Sequence, residues 1–156
     1  MNARPMQKTD LLDCVEVFIK VCNAEPFEDG WTEEAAGRRL ADLWNTPGCL
    51  GFVAEEEHRV LGSVAEEEHR VAGFAIGHAE QWFTGKRFCI DEICVRPEHQ
   101  RARVGTAVLE GLVEELVKMV VETVYVLAGR GTAADEFFRI KGFYPNDRLV
   151  QLVQRI

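Results

Sequence analysis

The sequence predicts a mixed α/β (α+β) domain: a central mixed, mostly antiparallel twisted sheet with about four helices. Three observations carry that prediction. Four segments place apolar residues at three-and-four spacing, as amphipathic helices do. Other segments are short apolar or alternating runs bounded by turn residues, which read as strands. Their order is strand, two helices, three strands, helix, strand, helix, strand. Successive strands favour antiparallel pairing, whereas strand–helix–strand is a crossover.

Residues 3–7 make a short extended start. Thr9 and Asp10 offer N-caps for a helix reaching Cys22, with Leu11, Leu12, Val15, Phe18, Val21 and Cys22 as its stripe. A loop with Pro26 and Gly30 follows. Thr32 caps a second helix whose first turn holds Glu33 and Glu34, favourable at the positive end of the helix dipole. Ala36, Leu40, Leu43 and Trp44 face inward, and Pro47 and Gly48 stop it. Strands are expected over 49–55, 71–79 and 87–95, the last ended by Pro97. The strongest helix runs over 105–120, with Ala107, Leu109, Leu112, Val113, Leu116, Val117 and Val120 on its apolar side and a Glu114–Lys118 pair at i,i+4. Residues 123–128 form a strand, 133–140 a short helix ended by Gly142, and 148–156 a terminal strand with partial alternation.

With 156 residues, 47% of them apolar, the chain can build one core, and we read a single domain over 1–156. Its formal charge of −8 argues against nucleic acid, whose phosphates want a basic face. It suits a cationic partner, although acidic surfaces also serve solubility alone. No segment is long and apolar enough for a membrane span, and the first ten residues lack the apolar stretch of a signal peptide. Five scattered cysteines in no zinc spacing suit reduced thiols of a cytoplasmic protein.

The chain also repeats itself. Residues 53–60 and 64–71 both read VAEEEHRV, an identity of eight residues at an offset of eleven. Two units are too few for a solenoid, so we read a tandem duplication in the hairpin between the second and third strands. An odd offset would reverse every side chain along a continuous strand, so one copy should loop out or the hairpin should lengthen with a bulge. The EEEH runs are expected to be solvated turns; no metal is called for.

Function concentrates in IDEICVRPEHQRARVGTAVLEGL, residues 90–112. A strand stops at a proline, a polar turn follows, and a long helix begins. Free backbone N–H groups at a helix start attract anions, and Arg101 and Arg103 add charge. Gly105 permits close approach of a phosphate. A plain strand-turn-helix connection with solvated arginines would look much the same.

Val95, Pro97, Gln100 and Gly105 fall in register with V-x-P-x-x-Q/R-x-x-G-x-G/A. The segment therefore resembles motif A of the GNAT superfamily of acyl-CoA-dependent N-acetyltransferases. AADEFFRIKGF at 133–143 is similar to the family's A-x-x-x-F-Y-x-x-x-G-F helix, and WFTGKRFCIDEICV to bacterial members that acetylate aminoglycosides and other small amines. The resemblance implies acetyl-CoA as acyl donor and a splayed strand pair. Ile93, Cys94 and Val95 would then bond the pantetheine arm through their backbone. Gln100, Arg101, Ala102, Arg103, Val104, Gly105 and Thr106 would hold the pyrophosphate, with Phe138 also on the cofactor side. It also implies a small-molecule amine as second substrate and is the sole ground for expecting a homodimer. Three positions depart from the family: Arg103 stands for the first motif glycine, Gly131 for an asparagine, and Phe138 for the tyrosine that commonly protonates the departing thiolate. A thiol of pKa about 8.5 leaves fairly well without that acid.

Acetyl transfer needs a neutral amine, and an alkylammonium has a pKa of about 10.4. The resemblance to bacterial members with a cleft-facing carboxylate at this position makes Glu92 the expected catalytic residue, with a backbone N–H near Cys94 or Val95 stabilising the oxyanion. Glu80, Trp82 and Asp91 are expected to line the substrate cleft. Strand alternation puts Asp91 and Glu92 on opposite faces, where either acid could instead pair with Lys86 or Arg87. Cys94 reads as a buried thiol rather than a nucleophile. Two other readings are a catalytically silent CoA-binding module, favoured by Arg103, Gly131 and Phe138, and a protein lysine or N-terminal acetyltransferase.

Overall fold

The computed structural model describes residues 2–57 and 69–156. It divides into two compact units, Met1–Val126 and Leu127–Ile156. The first holds strand β1 (Ala3–Pro5), helices α1 (Leu11–Cys22) and α2 (Glu33–Trp44), strands β2 (Cys49–Glu57), β3 (His69–Gln81) and β4 (Lys86–Val95), helix α3 (Val104–Lys118) and strand β5 (Val121–Val126). The second holds helix α4 (Ala133–Ile140).

The sheet runs β1-β2-β3-β4-β5. Its first three pairings are antiparallel, and β4 pairs parallel with β5. Only that last connection needs a crossover, and α3 supplies it. On one face α1 and α2 pack Val17, Phe18, Ala36 and Leu40 against Val53, Val71, Phe74, Ile76 and Cys94. On the other lies α3, close enough that Gly111 faces the Phe52 ring and Gly73 faces Val104.

Local signals account for most of the elements. Thr32 caps α2, its hydroxyl accepting the Ala35 N–H at 3.2 Å. Thr132 does the same for α4 with Asp135 N–H at 3.3 Å. The first helix starts at Leu11, with Asp10 at its N-cap as expected. A 3-10 turn, Lys8–Asp10, precedes it, and the Asp10 carboxylate reaches back to the Gln7 N–H at 2.7 Å. Lys118 pairs with Glu115 at 2.9 Å rather than with Glu114. Val117 and Val120 are exposed, because the buried stripe of α3 runs through Val104, Val108, Leu109, Leu112 and Leu116.

Residues 148–156 form no strand. Their apolar residues come as adjacent pairs, Leu149–Val150 and Leu152–Val153, so neither face of an extended chain would be apolar, and all four side chains are exposed.

The repeat contributes both copies to one ladder. The first ends β2, the second begins β3, and Glu55 faces Val71, Glu56 faces Arg70 and Glu57 faces His69. The expected looping out of one copy falls on 58–68, outside the described residues. The described glutamates have partners: Glu55 bonds Arg4, and Glu56 Oε2 lies 2.9 Å from His99 Nε2.

Two extra residues shape the sheet. Ala54 faces Gly73 but Glu55 faces Val71, which leaves Ala72 as a bulge in β3. Ile76 faces Glu92 but Gly77 faces Ile90, which leaves Asp91 as a bulge in β4. Gly77 sits beneath the second bulge, where a Cβ would stand 2.0 Å from the Cys89 carbonyl oxygen. Gly77→Ala is therefore expected to destabilise the protein by at least about 2 kcal/mol, measured by denaturant unfolding, because backbone must move to admit one methyl.

Candidate active site

The β4–β5 ladder ends at the pair Ile90 and Val126, while β4 continues to Val95. Beyond Ile90 its other edge stays on β3, to the pair Val95 and Gly73. One edge of β4 over 91–95 therefore has no strand partner among the described residues, at the predicted splayed pair. Ile93, Cys94 and Val95 lie on this stretch.

Arg96 follows directly. It is fully buried. Its N–H donates to Ala72 O at 2.9 Å and its Nε to Val71 O at 2.6 Å. Its Nη1 bonds Glu16 of α1 at 2.9 Å. Hydrogen bonds from Arg96, Lys20 and Arg70 hold the Glu16 carboxyl far below its ordinary value.

The turn then passes Pro97–His99 and reaches α3 through two left-handed residues, Arg101 (φ 62°) and Arg103 (φ 64°). The glycine of the resembled motif thus corresponds to a position where φ is positive. Arg103 keeps the same backbone path at a conformational cost. Ala107 N–H is the first in α3 to bond back, to Arg103 O. The amides of Val104, Gly105 and Thr106 meet no acceptor among the described residues, and Arg103 provides no side-chain cap. Gln100, Arg101, Ala102 and Arg103 are exposed around them. Three free donors, a helix dipole and two arginines make a cradle of the kind that can receive an anion.

The bulge corrects the expectation for the carboxylates. Asp91 and Glu92 do not lie on opposite faces; the extra residue lets both reach the α1/α2 side of the sheet. Glu92 Oε1 accepts from Arg39 of α2 at 2.9 Å. Burial raises the Glu92 carboxyl above its ordinary value, and the Arg39 bond only partly offsets that. Asp91 Oδ2 lies 2.6 Å from His78 Nδ1. His78 Nε2 lies 3.2 Å from Glu80 Oε1, which also accepts from the Tyr125 hydroxyl at 3.1 Å. Glu80 Oε2 accepts from Arg87 Nε at 2.5 Å, and the Arg87 guanidinium lies 3.6 Å from the Trp82 ring centroid. Neither predicted acid pairs with Lys86 or Arg87.

Sequence reasoning missed His78 and Arg39. Both His78 nitrogens face carboxylate oxygens, and only an imidazolium donates on both. Burial alone would lower its pKa, but the hydrogen bond and charge of Asp91, then Glu80, raise it above 6.5. Burial raises Tyr125, with Cys89 and Glu80 adding to it, so the phenol stays a donor. Cys94 is buried, and a hydrogen bond to Cys22 together with burial keeps it a thiol, which disfavours a nucleophilic role. In the second unit Phe138 is buried, with Phe137 at 5.3 Å and Phe143 at 5.0 Å between ring centroids.

Two measurements check this geometry. Arg103→Gly is expected to stabilise the protein by about 1 kcal/mol in thermal unfolding, because glycine takes positive φ without the steric cost. The His78 pairing stabilises the fold fully below its unfolded pKa of about 6.5 and is lost as pH rises through the higher folded value. Melting temperature should therefore fall across that window, and His78→Gln should flatten the slope.

The model of the Acetyltransferase (GNAT) family matches residues 18–143. Among solved structures, one described as a probable acetyltransferase has a TM-score of 0.76 at 16% identity, covering 100% of this chain and 98% of its own. An aminoglycoside acetyltransferase from an uncultured soil metagenomic sample, in complex with trehalose, has a TM-score of 0.71 at 16% identity, covering 99% and 95%. Aminoglycoside N-acetyltransferase AAC(6')-Iy in complex with CoA has 0.72 at 14%, again covering 99% and 95%. At such identities these likenesses concern the fold. No curated protein matches the sequence. No helix among the described residues is long and apolar enough to cross a membrane. The family match spans the open strand, the turn and the helix start from which the cradle is built, and the chain belongs to the GNAT acetyltransferase family.

Proposed function

We propose that the protein is an acetyl-CoA-dependent N-acetyltransferase that acetylates a primary amine of a small cationic molecule by direct attack. The observation that carries this reading is the meeting, on one short strand, of an open backbone edge with two carboxylates turned to the same side. The cradle at Val104, Gly105 and Thr106 fits a pyrophosphate, and the free edge of β4 over 91–95 fits an extended amide-bearing arm. When bound, the donor supplies the thioester carbonyl. Backbone N–H groups near Cys94 and Val95 take the charge that develops on its oxygen. Glu92, raised by burial, holds the substrate ammonium and accepts its proton, directly or through one water. Asp91, Glu80 and Trp82 border the space in which the amine is held.

A silent CoA-binding module is the second reading, favoured by Phe138, an aromatic residue with no proton to give to a thiolate. Release of free CoA thiol with polyamines, aminoglycosides and lysine peptides decides between them. We expect release with a small polycation; no release with any amine, alongside a thermal shift with acetyl-CoA, would leave the binding module. Glu92→Gln is expected to slow turnover by about 100-fold or more while leaving the acetyl-CoA thermal shift intact, and to remove the acid limb of the pH–rate profile.

A further inference from the structure

The Arg87 head group occupies a box made by three other side chains. The Trp82 ring lies 3.6 Å from its guanidinium carbon and the Tyr125 ring 5.0 Å from it, centroid distances within cation–π range. The third wall is Glu80, whose Oε2 accepts from Arg87 Nε at 2.5 Å. Glu80 is itself fixed, its other oxygen accepting from Tyr125 and facing His78. Two aromatic faces and a pre-oriented carboxylate form a receptor for a hydrogen-bonding organic cation. Trp82 is 45% exposed and Phe83 beside it 89%, so the box opens to solvent.

Resident cations balance the acids across this face. Arg39 pairs with Glu92, His78 with Asp91, and Arg87 with Glu80. An incoming ammonium therefore has to share or displace one of these partners. Arg87 is the partner taken to leave, since it stands on β4 beside the hairpin tip, against the half-exposed Trp82 at the mouth of the box.

We propose that Trp82, Tyr125 and Glu80 form a binding subsite for an organic cation of the guanidinium or alkylammonium class, and that Arg87 closes it as a tethered competitor. A tethered group competes at an effective concentration of millimolar order. A molecule with one positive charge is excluded at lower concentrations, whereas one whose second cationic group shares Asp91 or Glu92 with its resident partner gains a second contact and gets in. The subsite thus selects polycations, a specificity that rests on the acetyltransferase reading, while the box itself does not.

The test is calorimetric titration of the whole protein with agmatine, whose guanidinium copies the Arg87 head group. Arg87→Ala empties the box and is expected to bind agmatine about tenfold more tightly than the unmodified chain. Adding Trp82→Ala to it should abolish the gain, with circular dichroism confirming that both variants fold. No gain in Arg87→Ala, or a gain that survives loss of Trp82, would overturn the proposal. If Arg87→Ala gains binding that needs Trp82, yet no amine releases CoA thiol, the acetyltransferase reading fails and the subsite stands.

Discussion

One surplus residue in β4 governs the site. Between the pairs Ile76–Glu92 and Gly77–Ile90 the strand holds Asp91, which has no opposite number on β3. On its tip side, Phe88 and Ile90 remain buried. On its far side, Cys94 joins the core under α1 and α2. The bulge lets one strand meet both packing demands and turns two consecutive acids the same way. Its condition is Gly77, because the strands approach there more closely than any side chain permits.

The open edge needs a second anchor, and Arg96 provides it. A buried guanidinium is expensive unless its donors are satisfied. Here they go to Val71 O and to Glu16, so the end of β4, the bulge at Ala72 and helix α1 meet at one charge. The turn that follows starts from a fixed point. Glu56 adds another tie through His99, two residues before the left-handed Arg101. The amides of the cradle are therefore aimed by the sheet rather than by the turn alone.

Much of this was legible beforehand. Helices α1, α2 and α4 and all five strands lie close to where spacing and caps put them, because those signals are local. The free amides at the start of α3 were legible too, from a proline, a polar turn and a glycine at a helix start. The facing of Asp91 and Glu92 was not, because alternation counts along one strand while a bulge is a property of two. A hint existed in Gly77, since an isolated glycine in a strand run often marks close approach. His78 hid within an apolar stretch, and Arg39 sits 53 residues from Glu92, a pairing no periodicity announces. The paired apolar residues of 148–156 imitate a strand only if their faces are not counted.

The doubled hairpin has a consequence for how such a chain can grow. Strand β2 reads into the first VAEEE and β3 reads out of the second HRV, so the sheet meets one whole copy in correct register although the gene carries two. A segment that duplicates its own flanks hands each strand the neighbour it already had. Length can thus accumulate between Glu57 and His69 while the described pairs of β2 and β3 keep their register. This joint is where the domain can acquire a new appendage while its chemistry stays untouched.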